Sequence, residues 1–510
     1  MRNLTLCLLI AAASAGWGAD RPNVLLVMCD DMGWSDLGCY GGEVETPNVD
    51  RLADEGMRFT QFYNNAKCTT TRASIITGLY PRGGSTHRYE ELLRDDMLTV
   101  AEMLAPAGYR CSLVGKWHLG RGEGVHPLDR GFHSYYGLLD GACNFFDPAR
   151  PDPPYKGGRV RYFADGRRHV TEFPEDFYTT TAFTDRAIDE VRRGVESDGP
   201  FFLHVCYTAP HYPLHAWPED IAKYRGRYID GWPALRERRF ARQKELGVVG
   251  DDWRLSPADS RAYDWRTADH DFEDHRMAVY AAMIDRMDRE VGRLLSELDR
   301  LGVADDTLVL FLSDNGGCAE EPGGRDPAER NPGAADDYVA VGPAWGWAQN
   351  TPFRRYKSWM HEGGVRTPLI ARWPGQVPAG SITDQVGHII DLAPTLVDLA
   401  EADPPRHRDG ARVLPLEGRT LAPVLAGGDR QPPEELAWDF FGNAAIRQGD
   451  WKLVWDKLVG QWELYDLGQD PTEMNNLAAD EPDRVEQLAR AYNAWAKRTE
   501  NTSRPGPGEF

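Results

Sequence analysis

Several things are scarce in this 510-residue chain, and each scarcity narrows the reading. It has only eight cysteines and no C-x-x-C pair, so no stapled disulfide framework is expected. Its 58 Lys and Arg are outnumbered by 79 Asp and Glu, giving a net charge of −21. Sequence-independent binding to DNA or RNA needs a net basic face, so no nucleic-acid partner is expected, although a basic pocket inside the acidic shell stays open. Beyond residue 15 no apolar run is long enough to cross a hydrocarbon core of roughly 30 Å, so no stable membrane insertion is expected either. Repeats and low-complexity tracts are absent. With 41% hydrophobic and 27% charged residues, the composition is that of an ordinary globular chain.

What is present begins with a leader. Arg2, the apolar run Leu4–Ala13 and the small residues Ala13-Ser14-Ala15 read as a signal peptide over residues 1–15, which implies an exported, periplasmic or secreted protein. Cys7 leaves with it. The remaining cysteines are Cys29, Cys39, Cys68, Cys111, Cys143, Cys206 and Cys318, an odd number, so at least one is unpaired or modified. Cys29, Cys111 and Cys206 sit in or beside apolar strand-like runs and read as small core hydrophobes. Cys68 does not.

After Asp20, short apolar runs alternate with amphipathic stretches of helical period. That rhythm predicts an α/β fold, a large mixed, mostly parallel sheet sandwiched by helices. Strands are expected at Val24–Met28, Arg110–Val114, Phe201–Tyr207, Thr307–Leu312 and Leu369–Ala371. Helices are expected at Val49–Glu55, Met97–Pro106, Phe183–Arg193, Arg276–Leu301 and Leu392–Leu399. Two polar insertions, 216–274 and 318–350, read as binding loops or solvated surface. The character changes near Pro404. Strand-like Asn443–Ile446, Trp451–Trp455 and Trp462–Leu467 precede a helix near Asp483–Thr499, so a catalytic domain over 20–403 and a small C-terminal α+β subdomain over 404–510 are expected.

The unusual polar residues follow directly on expected strands. Asp30 and Asp31 follow the first, Lys116 and His118 the second, His211 the third, and Asp314 and Asn315 the fourth. The ligand crevice of an open α/β sheet lies at that edge. Singly, such aspartates are more often turn formers or helix caps than metal ligands, Asp314-Asn315-Gly316-Gly317 reads equally as a tight turn, and His211 as a residue that stiffens a loop. Together they offer hard oxygen donors that suit Ca²⁺ or Mg²⁺ rather than zinc. Cys68 opens a stretch, Cys68-Thr69-Thr70-Thr71-Arg72, that reads as a helix start. It would lie near unpaired backbone N–H groups, with Arg72 one turn on, an arrangement that either receives an anion or is a chance neighbourhood.

These residues resemble the type I, formylglycine-dependent sulfatases of the alkaline phosphatase superfamily. The matching stretches, in family order, are Asn23–Gly33 (NVLLVMCDDMG), Cys68–Gly78 (CTTTRASIITG), Gly115–Gly120 (GKWHLG), Ala209–Pro213 (APHYP), Ser313–Gly317 (SDNGG) and Asn350–Pro368 (NTPFRRYKSWMHEGGVRTP). Leu464–Leu477 (LYDLGQDPTEMNNL) extends the likeness into the C-terminal part. The resemblance implies a Ca²⁺ held by Asp30, Asp31, Asp314 and Asn315 and touched by a modified Cys68, with Arg72, Lys116, His118, His211 and Lys357 around the sulfate. It also implies a formylglycine-generating enzyme that oxidises Cys68 to an aldehyde whose hydrate is the nucleophile. The family's maturation signal usually reads Cys-x-Pro-x-Arg or Cys-x-Ala-x-Arg. Here the third position is Thr70, bulkier than Ala and without the fixed φ of Pro, which predicts weaker recognition by that enzyme.

The function expected is therefore hydrolysis of sulfate monoesters of a carbohydrate or an aryl alcohol, with His211 as acid and His118 as base toward residue 68. Two readings compete: a phosphodiesterase or phosphonate monoester hydrolase of the same superfamily, and a glycan-binding homologue in which Cys68 stays a thiol. Glu362 is expected to order a turn, and His388 with Asp391 and Pro394 to organise a helix start. His215 is a candidate substrate contact. Trp217, Trp232, Trp253, Trp345 and Trp347 are expected either to stack on sugar rings or to anchor loops.

Overall fold

A computed structural model describes residues 21–83, 92–259 and 261–504; the leader-like residues 1–15 lie outside the described residues. The main sheet is built from β1 (Asn23–Asp30), β2 (Met57–Tyr63), β3 (Arg110–Gly115), β4 (Ser134–Leu138), β5 (Phe163–Asp165), β6 (Arg168–Val170), β7 (Phe201–Pro210), β8 (Thr307–Ser313), β9 (Arg366–Arg372), β10 (Ser381–Thr383) and β11 (Gly387–His388). Its order is β10-β2-β9-β8-β1-β7-β3-β4-β5-β6, with β11 also on β2. The run β8-β1-β7-β3-β4 is parallel throughout. Strand β9 runs antiparallel to both β8 and β2. Hence β2 points the same way as β1, and β9 starts at the edge where the parallel strands end.

Both faces of the sheet are covered, as strands without polar alternation require. Successive residues of β1 feed two cores. Leu25 and Val27 pack on one face with Met283, Met287 and Leu294 of the helix His270–Leu301. Val24, Leu26 and Met28 pack on the other with Ile75 and Ile76 of the helix Cys68–Thr77. The long helix starts where the Asp269 side chain accepts the Phe272 N–H and ends at Gly302, whose φ of 71° suits glycine.

A small hairpin, β12 (His407–Arg408) with β13 (Ala411–Arg412), leads to a separate antiparallel sheet of β14 (Leu436–Phe440), β15 (Asn443–Gln448), β16 (Trp451–Asp456) and β17 (Gln461–Asp466). The helix Pro482–Arg498 covers it. The α/β class and the small C-terminal sheet are as the sequence pattern predicts.

Some expectations need correction. The helix expected over Met97–Pro106 is only Val100–Leu104, capped by Thr99 and Glu102 and followed by a 3-10 turn at Ala105–Ala107, because Pro106 cannot continue it. Insertion 216–274 is not mere loop: it contains the helices Pro218–Ala222 and Gly231–Glu245, the second anchored by buried Arg236 and Arg239. Insertion 318–350 likewise ends in the helix Gly342–Gln349. Trp232 in the helix Gly231–Glu245 and Trp345 and Trp347 in the helix Gly342–Gln349 are buried, which removes them as sugar platforms. His215 is also structural. It is buried, accepts the Phe145 N–H on Nδ1 and donates Nε2–H to the Asp337 carbonyl, 2.9 Å away.

Candidate active site

Strand direction explains the site. Asp30 ends β1, Asp31 follows it, Lys116 follows β3, His211 follows β7, and Asp314-Asn315 follows β8, all at one sheet edge. Strand β2 delivers the chain through Asn64–Lys67 to that edge, where the helix Cys68–Thr77 begins with Cys68 as its first residue. The segment before β9 brings Lys357 there, its N–H donating to the Gly317 carbonyl at 3.1 Å. The residues that the resemblance assigned to the metal and the sulfate are thus brought together. Asp30, Cys68, Asp314, Asp31 and His211 offer ligand atoms in two groups, each within 4.8 Å: Asp30, Cys68 and Asp314 form one, Asp30, Asp31 and His211 the other.

The backbone and loops are shaped to this end. Thr70 donates its hydroxyl to the carbonyls of Asn65 and Lys67, both at 2.9 Å, and Thr71 accepts the Asn65 N–H, which pins the turn before Cys68. Asp31 and His118 both hold left-handed backbone, with φ of 68° and 57°, a conformation that costs about 1–3 kcal/mol for a residue with a Cβ. Gly141 leaves room for the His118 ring: a Cβ there would lie 2.4 Å from its Cε1 and Nε2.

The acids and cations pair one to one. Lys116 Nζ is 2.6 Å from Asp30 Oδ2, and Lys357 Nζ is 2.6 Å from Asp31 Oδ1. Arg72 donates to Asp314 Oδ2 at 2.9 Å and to the Lys116 carbonyl at 2.8 Å, so in this arrangement its fork grips the acidic centre. Asn315 donates Nδ2–H to Asp31 Oδ1 at 2.7 Å. His118 Nδ1 faces Cys68 Sγ at 3.4 Å, and His211 Nε2 faces Asp31 Oδ2 at the same distance. His211 donates Nδ1–H to the Tyr212 carbonyl at 2.5 Å, which leaves Nε2 as its working atom.

Electrostatics divides the two buried acids of β1. Burial and then the Asp314 charge push Asp30 well above the ordinary carboxylate range. Burial also acts on Asp31, but His211, Lys357 and the Asn315 hydrogen bond together hold it well below that range. Burial, then Lys116 and Arg72, lowers His118, which favours the neutral imidazole. His211 is lowered by burial against the pull of Asp31.

A hard divalent cation fits these residues on a specific observation. Asp30 Oδ1 and Asn315 Oδ1 are buried and accept no hydrogen bond, so two hard oxygen donors beside Asp31 and Asp314 are left without a hydrogen-bond partner.

Sequence reasoning missed Lys67, Glu320 and Tyr212. Glu320 Oε1 is 2.9 Å from Lys67 Nζ and 4.0 Å from Lys357 Nζ, and its Oε2 accepts the Tyr212 hydroxyl. Adjacency to Cys68 and His211 was the one signal available for Lys67 and Tyr212. Glu362, expected to order a turn, does so as a fully buried group between Lys452, Arg366 and Tyr63. His388 and Asp391 form the expected cap, Asp391 accepting the His388 N–H at 2.9 Å.

Comparison with known proteins agrees with this geometry. The model of the family described as Sulfatase matches residues 22–402, and that described as N-sulphoglucosamine sulphohydrolase, C-terminal, matches 353–493. An uncharacterized sulfatase of Schizosaccharomyces pombe is 32% identical, with 94% of each chain covered. An arylsulfatase of Klebsiella aerogenes is also 32% identical, over 84% of this chain and 97% of that protein. Among solved structures, Ps i-CgsB in complex with k-i-k-neocarrahexaose superposes with a TM-score of 0.68 at 25% identity, covering 96% of this chain and 95% of that one. These relatives do not favour either competing reading.

Proposed function

The chain belongs to the sulfatase family and is a sulfuric ester hydrolase, and on that premise we propose that it is exported and cleaves sulfate monoesters of carbohydrates with a formylglycine made from Cys68. Aryl sulfates are the convenient assay substrates. The observation that carries the proposal is the convergence of Cys68, three acids, an amide, three cations and two histidines from separate segments onto one sheet edge. The carbohydrate preference is supported by a structural neighbour solved with an oligosaccharide. Export is supported by the apolar leader-like run Leu4–Ala13.

Asp30, Asp31, Asp314 and Asn315 would hold a Ca²⁺, with residue 68 beside them; once bound, it supplies positive charge where the reacting oxygens gather. The hydrated formylglycine, once a formylglycine-generating enzyme has acted, supplies an oxygen nucleophile in place of a thiol.

The remaining work falls to this chain's own side chains. Lys116, Lys357 and Arg72 bring positive charge to the sulfate oxygens and keep the acidic cluster from repelling the ester. His211 presents Nε2 to the site, and a proton carried there passes to the leaving alkoxide as the S–O bond breaks. His118, kept neutral by burial beside Lys116 and Arg72, takes a proton from the group at residue 68 through Nδ1.

The test is sulfate release from an aryl sulfate and a panel of sulfated oligosaccharides, using protein produced together with a formylglycine-generating enzyme. Release by the wild type and none by Cys68→Ala is the expected pattern. Matured protein that carries the aldehyde yet frees sulfate from none of them would sink the proposal.

A further inference from the structure

Glu320 is the one acid of this neighbourhood that solvent reaches. Its side chain is 40% exposed, whereas Asp30, Asp31 and Asp314 are buried. It is nonetheless tied to three working parts. Oε1 meets Lys67, the residue before Cys68, at 2.9 Å, and Lys357 at 4.0 Å. Oε2 accepts the hydroxyl of Tyr212, whose ring lies 4.2 Å, centroid to centroid, from that of His211. A carboxylate so placed is part-exposed and lies 4.0 Å from one of the cations proposed to surround the sulfate. It is ionised: burial would raise it, but Lys357 and Lys67 hold it well below the usual carboxylate range.

A fixed negative charge beside an anion site repels every anion that binds there, and the charges of substrate and product set by how much. A sulfate monoester carries one negative charge. Its hydrolysis forms a bond from the water-derived oxygen to sulfur, breaks the bridging S–O bond and gives the leaving alkoxide a proton, so ROSO₃⁻ and H₂O become ROH and HSO₄⁻. The HSO₄⁻ then loses its proton to water, leaving a dianion. A phosphate monoester, whose second pKa is about 6, is already close to a dianion at neutral pH.

We propose that Glu320 is a specificity-determining residue that favours a monoanionic ester over dianions, disfavouring phosphate monoesters and helping expel product sulfate. This rests on the sulfatase reading above. The repulsion scales with ligand charge, so a dianion feels it twice where the ester feels it once. At a separation of a few ångströms beside a half-exposed group, screening reduces that difference to roughly tenfold in affinity.

The test is Glu320→Gln, which removes the charge and keeps an amide oxygen to accept the Tyr212 hydroxyl. Three quantities are measured on matured protein at about pH 8: kcat/KM for an aryl sulfate, kcat/KM for the matching aryl phosphate monoester, and inhibition by inorganic sulfate. The sulfate-to-phosphate ratio should fall about tenfold, and inorganic sulfate, which feels the repulsion twice, should inhibit up to about a hundredfold more tightly. Glu321→Gln, which alters a group that pairs with Arg276 at 3.3 Å, should change neither. Equal losses on both esters with unchanged sulfate inhibition would make Glu320 a clasp for Lys67 and overturn the inference. A wild type that turns over no sulfate ester would count against the sulfatase reading itself. In that case calorimetric titration of inorganic sulfate into wild type and Glu320→Gln still decides the role of Glu320, since equal affinities reject it.

Discussion

Lys116 Nζ lies 2.6 Å from Asp30 Oδ2, and neither side chain is reached by solvent. Such a buried pair repays its desolvation only when the remaining lone pairs are also satisfied. Here they are not, because Asp30 Oδ1 accepts no hydrogen bond and Asp314 stands close enough to raise the Asp30 carboxyl. Lys116, even with Arg72 3.8 Å from Asp30 Oδ1, leaves that oxygen without a hydrogen bond, and the divalent cation of the proposed function would take that place.

The corresponding prediction concerns metal and stability together. Ca²⁺ at about a hundred times its Kd should stabilise the fold by about 2.7 kcal/mol, seen as a rise in Tm, and chelation should reverse both the shift and the activity. Asp30→Asn and Asn315→Ala should each lose most of the Ca²⁺-dependent shift. An undiminished shift in both would place the ion elsewhere.

Gly141 gives a second prediction, because the three atoms nearest to a Cβ there all belong to the His118 ring, two of them 2.4 Å away. Gly141→Ala should displace His118 from Cys68 and lower kcat by about a hundredfold, the usual consequence of an ångström of misplacement. Tm should change little. A variant with wild-type kcat would show that His118 does not act from this position.

The parts of the site that were legible in the sequence are those that end apolar strands. A continuous run such as Val24–Met28 announces its own carboxyl end, so Asp30, Asp31, His211, Asp314 and Asn315 could be placed on one edge before any coordinates. Strand β2 was not legible because its pairing with β9 slips between Phe59 and Phe62, which breaks the alternation that would have marked it. The helix Gly231–Glu245 was hidden for a different reason. Its buried face carries arginines, with Arg239 paired to Asp36 and Glu43 and Arg236 donating to the Trp347 carbonyl, so burial leaves no apolar stripe. Glu320 and Gly141 belong to loops, and their partners lie far away in sequence, where no periodicity reports them.

Glu362 predicts how the molecule fails in acid. It accepts from Lys452 at 2.6 Å and from Tyr63 at 2.9 Å, and pairs with Arg366 at 2.8 Å, joining the main sheet to the C-terminal one. Burial would raise its carboxyl, but Lys452, Arg366 and Arg447 bring it down to about 2 from the ordinary 4.5. A lowered folded-state value means that the stabilisation is complete above about 4.5 and lost as the pH falls toward about 2. Glu362→Gln should cost roughly 3–5 kcal/mol at neutral pH, and its deficit in Tm should narrow steadily in acid. A deficit that stays constant down to about pH 3 would show that the charge is not what Glu362 contributes.

Thr70 yields the prediction that bears most directly on whether the enzyme is switched on. Its hydroxyl donates to the carbonyls of Asn65 and Lys67, so in the folded protein it braces the turn that presents Cys68. Under the proposed maturation, a formylglycine-generating enzyme would have to accept the same residue, which is bulkier than the usual Ala and lacks the fixed φ of Pro. The two demands oppose each other. Thr70→Ala should raise the fraction of Cys68 converted to the aldehyde, read by mass spectrometry of the peptide spanning the site, while loss of the two hydrogen bonds lowers Tm by an amount worth about 1–2 kcal/mol. Activity per mole of aldehyde should stay near the wild-type value, so total activity should follow the converted fraction. An unchanged fraction in Thr70→Ala would mean that recognition rests on Arg72 and the residues after it, and that Thr70 is tuned for the folded site alone.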